Sequence, residues 1–235
     1  MHDMAEALAA AWQLAVSGDP TLLGIVSISL RISLIAVLLA SAFGLLLGGA
    51  LAVLRFPGRD GAVVVVNALM GLPPVVVGLI VYLLLSRSGP LGQLGLLFTP
   101  AAMVIAQTIL VTPIVAAIAR QIVDDLWREY RELYIFDGVG GARTICSLLW
   151  LGRFSLITAV LAGAGRAVAE VGAILIVGGN IAGVTRTMTT AIALETSRGD
   201  LALALGLGLI LLSLILAINA TVQFVGNAAK RVAAI

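Results

Sequence analysis

The sequence predicts an all-α integral membrane protein with five transmembrane helices, its N-terminus outside and its C-terminus inside. Three observations lead there. Hydrophobic residues make up 61% of the 235 residues and charged residues 11%, against roughly 25% charge in soluble domains. The mean hydropathy is +1.15. The apolar residues are gathered into five long, charge-poor blocks, and a bilayer crossing takes about 20 mostly apolar residues.

The first twenty residues, MHDMAEALAAAWQLAVSGDP, carry acids and no Lys or Arg, whereas a signal peptide needs a basic start. Leu8, Trp12 and Val16 would share one helical face. The reading is a short external interfacial helix over residues 1–21, ended by Gly18 and Pro20. Residues 22–235 form the transmembrane domain.

The first block, Leu22 to Leu54, exceeds one crossing and is too short for two with a turn. It is expected to be one tilted or protruding helix, with Arg31 near an interface and its long side chain reaching water. Its GLLLG run, Gly44 to Gly48, is a small-xxx-small match, a weak signal in a glycine-rich chain. The second block, Ala62 to Leu85, holds GLPPVVVGL. Pro73 and Pro74 lack backbone donors and should bend or break the helix. Broken helices at membrane depth occur where the freed groups face protein or a wet cavity. The third block, Pro100 to Ala119, contains Pro113. The three prolines fit a pathway lining, or kinks that serve packing. The fourth block is Phe154 to Gly178 and the fifth Leu201 to Val225.

Arginine and lysine set the direction, because cytoplasmic flanks are rich in them. One set of flanks holds Arg55, Arg59, Arg120, Arg128, Arg131, Arg143, Arg153, Lys230 and Arg231, which is nine, and the opposite set holds Arg87, Arg186 and Arg198, which is three. Arg31 and Arg166 lie inside blocks. A net charge of +2 gives no support to nucleic-acid binding. The single cysteine, Cys146, excludes an internal disulfide framework and reads as a buried or idle thiol. The only histidine is His2, no aspartate falls in a span, and no metal-binding set is visible, so an intramembrane enzyme lacks its parts. A secondary transporter would be expected to show an internal repeat, and none is visible.

Between the third and fourth blocks lies a polar segment, residues 120–153, with five basic and five acidic residues. Ile122, Leu126, Glu129 and Leu133 follow helical spacing up to Phe136. Gly138 offers a turn, and GARTICSLLWL is a second helical run. Helix, turn and helix make a knob suited to a groove on another protein.

This segment resembles the cytoplasmic loop of ABC importer permease subunits, of the form E-A-A, three residues, G, nine residues, I, any residue, L-P. Glu132 stands for the acid and Gly138 lies six residues on. Leu148 and Trp150 fall on the later apolar positions, while Leu133, Tyr134 and Leu151 depart from the pattern. The segment LAGAGRAVAEVGAILIVGGNIAGVTRTMTTAIALETSRGD is similar to the molybdate, tungstate and sulfate permease group, through Arg166, Ala167, Glu170, Gly172, Ala173, Gly179 and Asn180. Its TRTMTTAIALETSRGD ending, the five-span layout and the SGDP run ahead of the first span look closest to the tungstate branch.

The resemblance implies a type I ABC importer permease core in a prokaryotic cytoplasmic (inner) membrane. It implies a homodimer with the pathway between its subunits, two ATP-binding subunits on the cytoplasmic side and an external substrate-binding protein. ATP and magnesium belong to the partner ATPase. This chain has no G-x-x-x-x-G-K-[ST] run and is expected to hold no cofactor. Glu132, Asp137, Gly138, Arg143, Leu148 and Trp150 are the expected coupling residues. Pro73, Pro74, Arg166, Glu170 and Asn180 are the expected pathway candidates. Arg166 and Glu170 stand four apart, so an unbroken helix would put them on one face. They form either a packed, self-neutralising pair or part of the anion's route. Molybdate or sulfate remain the alternative cargoes.

Overall fold

The computed structural model describes residues 19–233. Among the described residues nine α-helices follow one another: α1 (Pro20–Val53), α2 (Arg59–Leu69), α3 (Pro74–Leu85), α4 (Pro100–Phe136), α5 (Gly141–Leu151), α6 (Arg153–Val168), α7 (Gly172–Gly178), α8 (Met188–Arg198) and α9 (Leu201–Ala233). A 3₁₀ turn, Gly92–Leu94, lies between α3 and α4. The expected interfacial helix around Leu8, Trp12 and Val16 falls outside the described residues.

Helix α1 starts where its own sequence can close the free amides. Asp19 Oδ1 accepts from the backbone N–H of Thr21 at 2.7 Å and of Leu22 at 3.2 Å. The amides of Leu22 and Thr21 hold its carboxyl below the usual carboxylate range. Pro20 sits in the first turn, where its missing N–H costs nothing. Pro20 and Thr21 thus open α1. With 34 residues, α1 is the single long helix expected of the first block. At about 1.5 Å per residue it reaches about 50 Å, more than the hydrocarbon core of about 30 Å.

Helices α1 and α4 are long and apolar enough to cross a membrane unaided, and α2–α3 and α5–α6 pass only as broken pairs, bent by 102° and 83°. The first break falls at the predicted prolines. Pro73 is the N-cap residue of α3 at φ −65°, and Pro74 opens its first turn. Pro113, by contrast, lies inside an unbroken α4. The fourth block departs from expectation: its helix stops at Val168 and resumes at Gly172.

The chain forms two compact units. Within the described residues, one takes the chain up to Ile35, Pro73–Gln107 and Val168–Ala220, and the other takes Ala36–Leu72, Thr108–Ala167 and the chain from Thr221. In the first unit, Leu22 and Ile25 of α1 pack with Met188, Ala191 and Leu207. In the second, Val37 and Ala40 pack with Val111, Val115, Ala159 and Ala167.

The glycines of GLLLG make this second core possible. A Cβ on Gly44 would come within 2.8 Å of Val115 Cβ, and one on Gly48 within 2.5 Å of the Ala116 carbonyl oxygen. The pattern that carried little weight in the sequence therefore marks a close crossing of α1 and α4 inside one chain.

That crossing predicts a sign. In a helix interior Ala is favoured over Gly by about 0.5–1 kcal/mol, whereas overpacking costs about 1–3 kcal/mol. The obstacle at Gly48 is backbone, which cannot swing aside, so the clash should win. Gly48→Ala is expected to melt below the wild type in detergent. Gly24→Ala, where nothing lies within 4 Å, should melt at or above it. Equal melting of the two variants would show that the crossing adjusts freely.

Candidate functional site

The polar segment folds as its sequence predicts. Helix α4 runs on to Phe136, and Gly138 takes φ +62°. The Gly138 amide donates to Ile135 O at 3.1 Å and the Val139 amide to Tyr134 O at 3.1 Å. These two bonds close the orphan carbonyls of the last turn in a Schellman arrangement, whose left-handed residue is usually glycine. Helix α5 then covers the predicted GARTICSLLWL run.

Helix α5 is fastened to its own unit. Ile145 and Leu148 are buried with Ala52, Val53 and Val123. Tyr134 Oη donates to Ser147 Oγ at 2.8 Å, and the Trp127 and Tyr134 rings lie 6.3 Å apart. Leu148 is 0% exposed, so it anchors α5 from below instead of presenting a surface. Trp150 is 72% exposed and Phe136 90%. The Arg153 guanidinium lies over the Trp150 ring at 4.8 Å and donates to Trp150 O at 2.9 Å. Glu132, Asp137, Gly138 and Arg143 are all exposed. Cys146 is exposed as well, which removes the buried alternative of the expected buried or idle thiol. The Glu129 carboxylate, as acceptor and as neighbouring charge, raises the pKa of the Tyr130 phenol.

The break at residues 169–171 rearranges the other candidates. With α6 ending at Val168, the spacing of four no longer puts Arg166 and Glu170 on one helical face. Glu170 is 2% exposed. Its Oε1 accepts from the Ala173 amide at 3.1 Å, and its carbonyl accepts from Thr189 Oγ1 at 2.8 Å. The carboxylate thus caps the start of α7, and a hydroxyl nineteen residues away receives the carbonyl that the ended helix leaves over. Pro73 and Pro74 stand nearby in the fold: a Cβ on Gly172 would lie 3.0 Å from Val75 Cγ2, and one on Gly78 2.8 Å from Ala173 Cα.

Helix α7 ends in two left-handed residues, Gly179 at φ +68° and Asn180 at φ +51°. Asparagine tolerates that region better than most residues. Asn180 Nδ2 donates to Thr190 O at 3.3 Å. Thr185 Oγ1 donates to Gly178 O at 2.6 Å and accepts from the Ile181 amide at 2.9 Å. Thr187 and Thr190 form a reciprocal capping box at the start of α8, and the Met188 amide donates to Ser29 Oγ at 2.7 Å. Nothing in the sequence reading gave these threonines or Ser29 a structural role. The available signal was TRTMTT itself, whose Thr187 and Thr190 have capping-box spacing.

A family model described as the binding-protein-dependent transport system inner membrane component matches residues 40–231. The chain belongs to that family. It is thus a multi-pass inner membrane transport component and not an enzyme. The chain is 43% identical over 206 residues to a probable anion ABC transporter permease protein of Haloferax volcanii, covering 85% of this chain and 88% of the relative. It is 38% identical over 222 residues to the tungstate uptake system permease protein of Peptoclostridium acidaminophilum, with 94% and 97% covered. The corresponding Campylobacter jejuni protein is 39% identical over 155 residues, with 66% and 65% covered.

The cap at α7 predicts a graded pair of variants. Glu170→Ala leaves the Ala173 amide without its acceptor, and a buried unsatisfied group costs about 1–3 kcal/mol. Glu170→Gln keeps an oxygen that can accept the same bond. The yield and melting temperature of folded protein should fall clearly in Glu170→Ala and less in Glu170→Gln. Equal losses would assign the role to the charge and not to the cap.

Proposed function

We propose that this chain is the transmembrane permease subunit of an ATP-driven oxyanion importer whose cargo is tungstate. The match to a tungstate uptake permease over 94% of the chain at 38% identity carries this reading. The likeness to an anion permease supports the broader cargo class. In this reading the five crossings are α1, the α2–α3 pair, α4, α6 continued into α7, and α9, with α5 left outside the bilayer although it also pairs with α6 as a bent apolar unit. The bias of arginine and lysine supports an external N-terminus and a cytoplasmic C-terminus.

In this reading the chain forms a homodimer that encloses the pathway. Two ATPase subunits, which bind ATP and magnesium, dock on the cytoplasmic side, and an external binding protein delivers the anion. The α4–α5 loop is the coupling element. Trp150, Arg143 and the exposed residues around Gly138 meet the ATPase, while Ile145 and Leu148 hold α5 to the unit so that force on the loop moves the core. Pro73, Pro74, Arg166, Glu170 and Asn180 belong to the pathway region, where broken helices expose backbone groups to a polar route. The deciding experiment is reconstitution with the ATPase and the binding protein. Tungstate delivered by the binding protein should raise ATP hydrolysis. Stimulation by sulfate or molybdate and not tungstate would reassign the cargo, and no stimulation by any oxyanion would remove the reading.

Two variants test the loop and its side. No atom lies within 4 Å of a Cβ built on Gly138, so a side chain there meets only the left-handed backbone penalty of about 1–2 kcal/mol. Gly138→Asn tolerates that geometry and should transport at close to the wild-type rate. Gly138→Asp adds a charge at the docking face and should insert normally yet uncouple ATP hydrolysis from anion delivery. Normal uptake by Gly138→Asp would take the coupling role away from the loop.

Cys146 reports the orientation directly. An impermeant thiol reagent should leave it unlabelled in intact cells and label it in inside-out vesicles lacking the ATPase. Labelling from outside would invert the topology.

A further inference from the structure

Within the second unit, the end of α1, the start of α2 and the segment of α4 beyond its apolar part enclose a cleft of about 850 Å³. Arg55, Arg59, Arg120, Arg128 and Arg131 all line it. Two carboxylates share the space, and they answer only two of these cations. Asp124 lies 2.7 Å from Arg128 and 3.8 Å from Arg59, and Asp60 lies 3.3 Å from Arg59. Arg59 is further fixed by its Nε, which donates to Leu51 O at 2.7 Å. Among the described residues, Arg55, Arg120 and Arg131 face no carboxylate within 4 Å, and Arg120 Nε is buried without a hydrogen-bond partner.

Guanidinium groups that line one cleft without carboxylate partners repel each other, and an anion between them relieves that repulsion. Arg55 and Arg131 are exposed, but Arg120 is half-buried, and a purely solvated basic face would not leave its buried Nε idle. The helix C-terminus of α1 accounts for Arg59, which bonds a last-turn carbonyl, and favours Arg55 just past its end, but not Arg120 or Arg131. Guanidinium is the group that binds tetrahedral oxyanions through paired N–H donors, and basic pockets between membrane helices at the cytoplasmic edge hold anionic headgroups.

We propose that this cleft is an anion site for a tetrahedral oxyanion group, either the phosphate of an anionic phospholipid or a free oxyanion, held by Arg55, Arg120 and Arg131. The assignment goes beyond the transport reading and does not depend on it.

The test uses the permease alone, without ATPase or binding protein, so its outcome leaves the cargo assignment untouched. In one arm, protein from nanodiscs of mixed phosphatidylcholine and phosphatidylglycerol is analysed by native mass spectrometry for retained phosphatidylglycerol. In the other, protein in pure phosphatidylcholine nanodiscs is dialysed to equilibrium against labelled phosphate and against tungstate. Arg55 and Arg131 are exposed, so the double variant Arg55→Gln/Arg131→Gln should fold. The expected result is retention or binding in at least one arm, weakened about tenfold or more in the double variant and unchanged in Arg87→Gln, an exposed arginine outside the cleft. Arg120→Lys, which keeps the charge and loses the fork, should fall between them. The first arm alone positive identifies a lipid site, and the second a soluble-anion site. No binding in either arm would overturn the proposal and point to acidic side chains of a protein partner, and an equal loss in Arg87→Gln would reduce it to general charge attraction.

Discussion

A backbone amide or carbonyl left unbonded at membrane depth costs several kcal/mol, and the fold of the first unit is arranged around that penalty. A chain of plain spanning helices would avoid it. This chain ends helices inside two apolar blocks, at residues 70–73 and 169–171, and again just past the fourth block, at 179–187, and each ending brings its own acceptor or donor. Proline removes the donor at the start of α3. The Glu170 carboxylate takes the Ala173 amide at the start of α7, and Thr189, Thr185 and Ser29 take the groups that follow. Glu170 is therefore not simply a charge placed in a membrane at a cost. Its side chain already fills the amide end of α7, so that end does not need an anion to complete it.

The second unit answers a different demand, close approach. Glycine and alanine at the α1–α4 crossing bring backbones together, and in lipid this packing has no hydrophobic drive behind it. Contact area must replace it, and a single added methyl group removes some of that area by forcing the helices apart. The same economy recurs at Gly163, where a Cβ would lie 2.8 Å from Val111 Cγ1. The residues that look least informative in the sequence thus set the geometry on which α4 and its polar extension depend.

What could be read from the sequence divides along the same line. Local determinants were legible: the prolines that break the second block, the glycine turn after Phe136, and α5 to the residue. The break at Glu170 was not, because RAVAEVGA has no proline and keeps a helical apolar pattern. What accommodates the break is partly tertiary, a hydroxyl from Thr189 nineteen residues away, and partly local, the Glu170 carboxylate on the Ala173 amide, and tertiary contacts override propensity. Helix α8 was hidden for a similar reason, its start being set by a capping box within a run of threonines taken as a family signature. Leu148 stands among the expected coupling residues from its place in the loop pattern. Its spacing of three from Ile145 put both on one face of α5, and burial of that face was there to be read.

The loop's two faces differ, one buried against its own unit and one exposed, and the difference bears on how a partner could use it. A segment that must order itself on docking gives up about 0.5–1.5 kcal/mol for each side chain immobilised. Here α5 is already held by Leu148 and Ile145 beneath it, by Tyr134 on Ser147 at its side, and by the Gly138 turn at its start. Arg153 likewise holds the exposed Trp150 ring at 4.8 Å. The ordering cost is met within the chain before any partner arrives. A partner's binding energy can then act on the position of the loop instead of on its folding, which is the condition for transmitting a displacement instead of absorbing it.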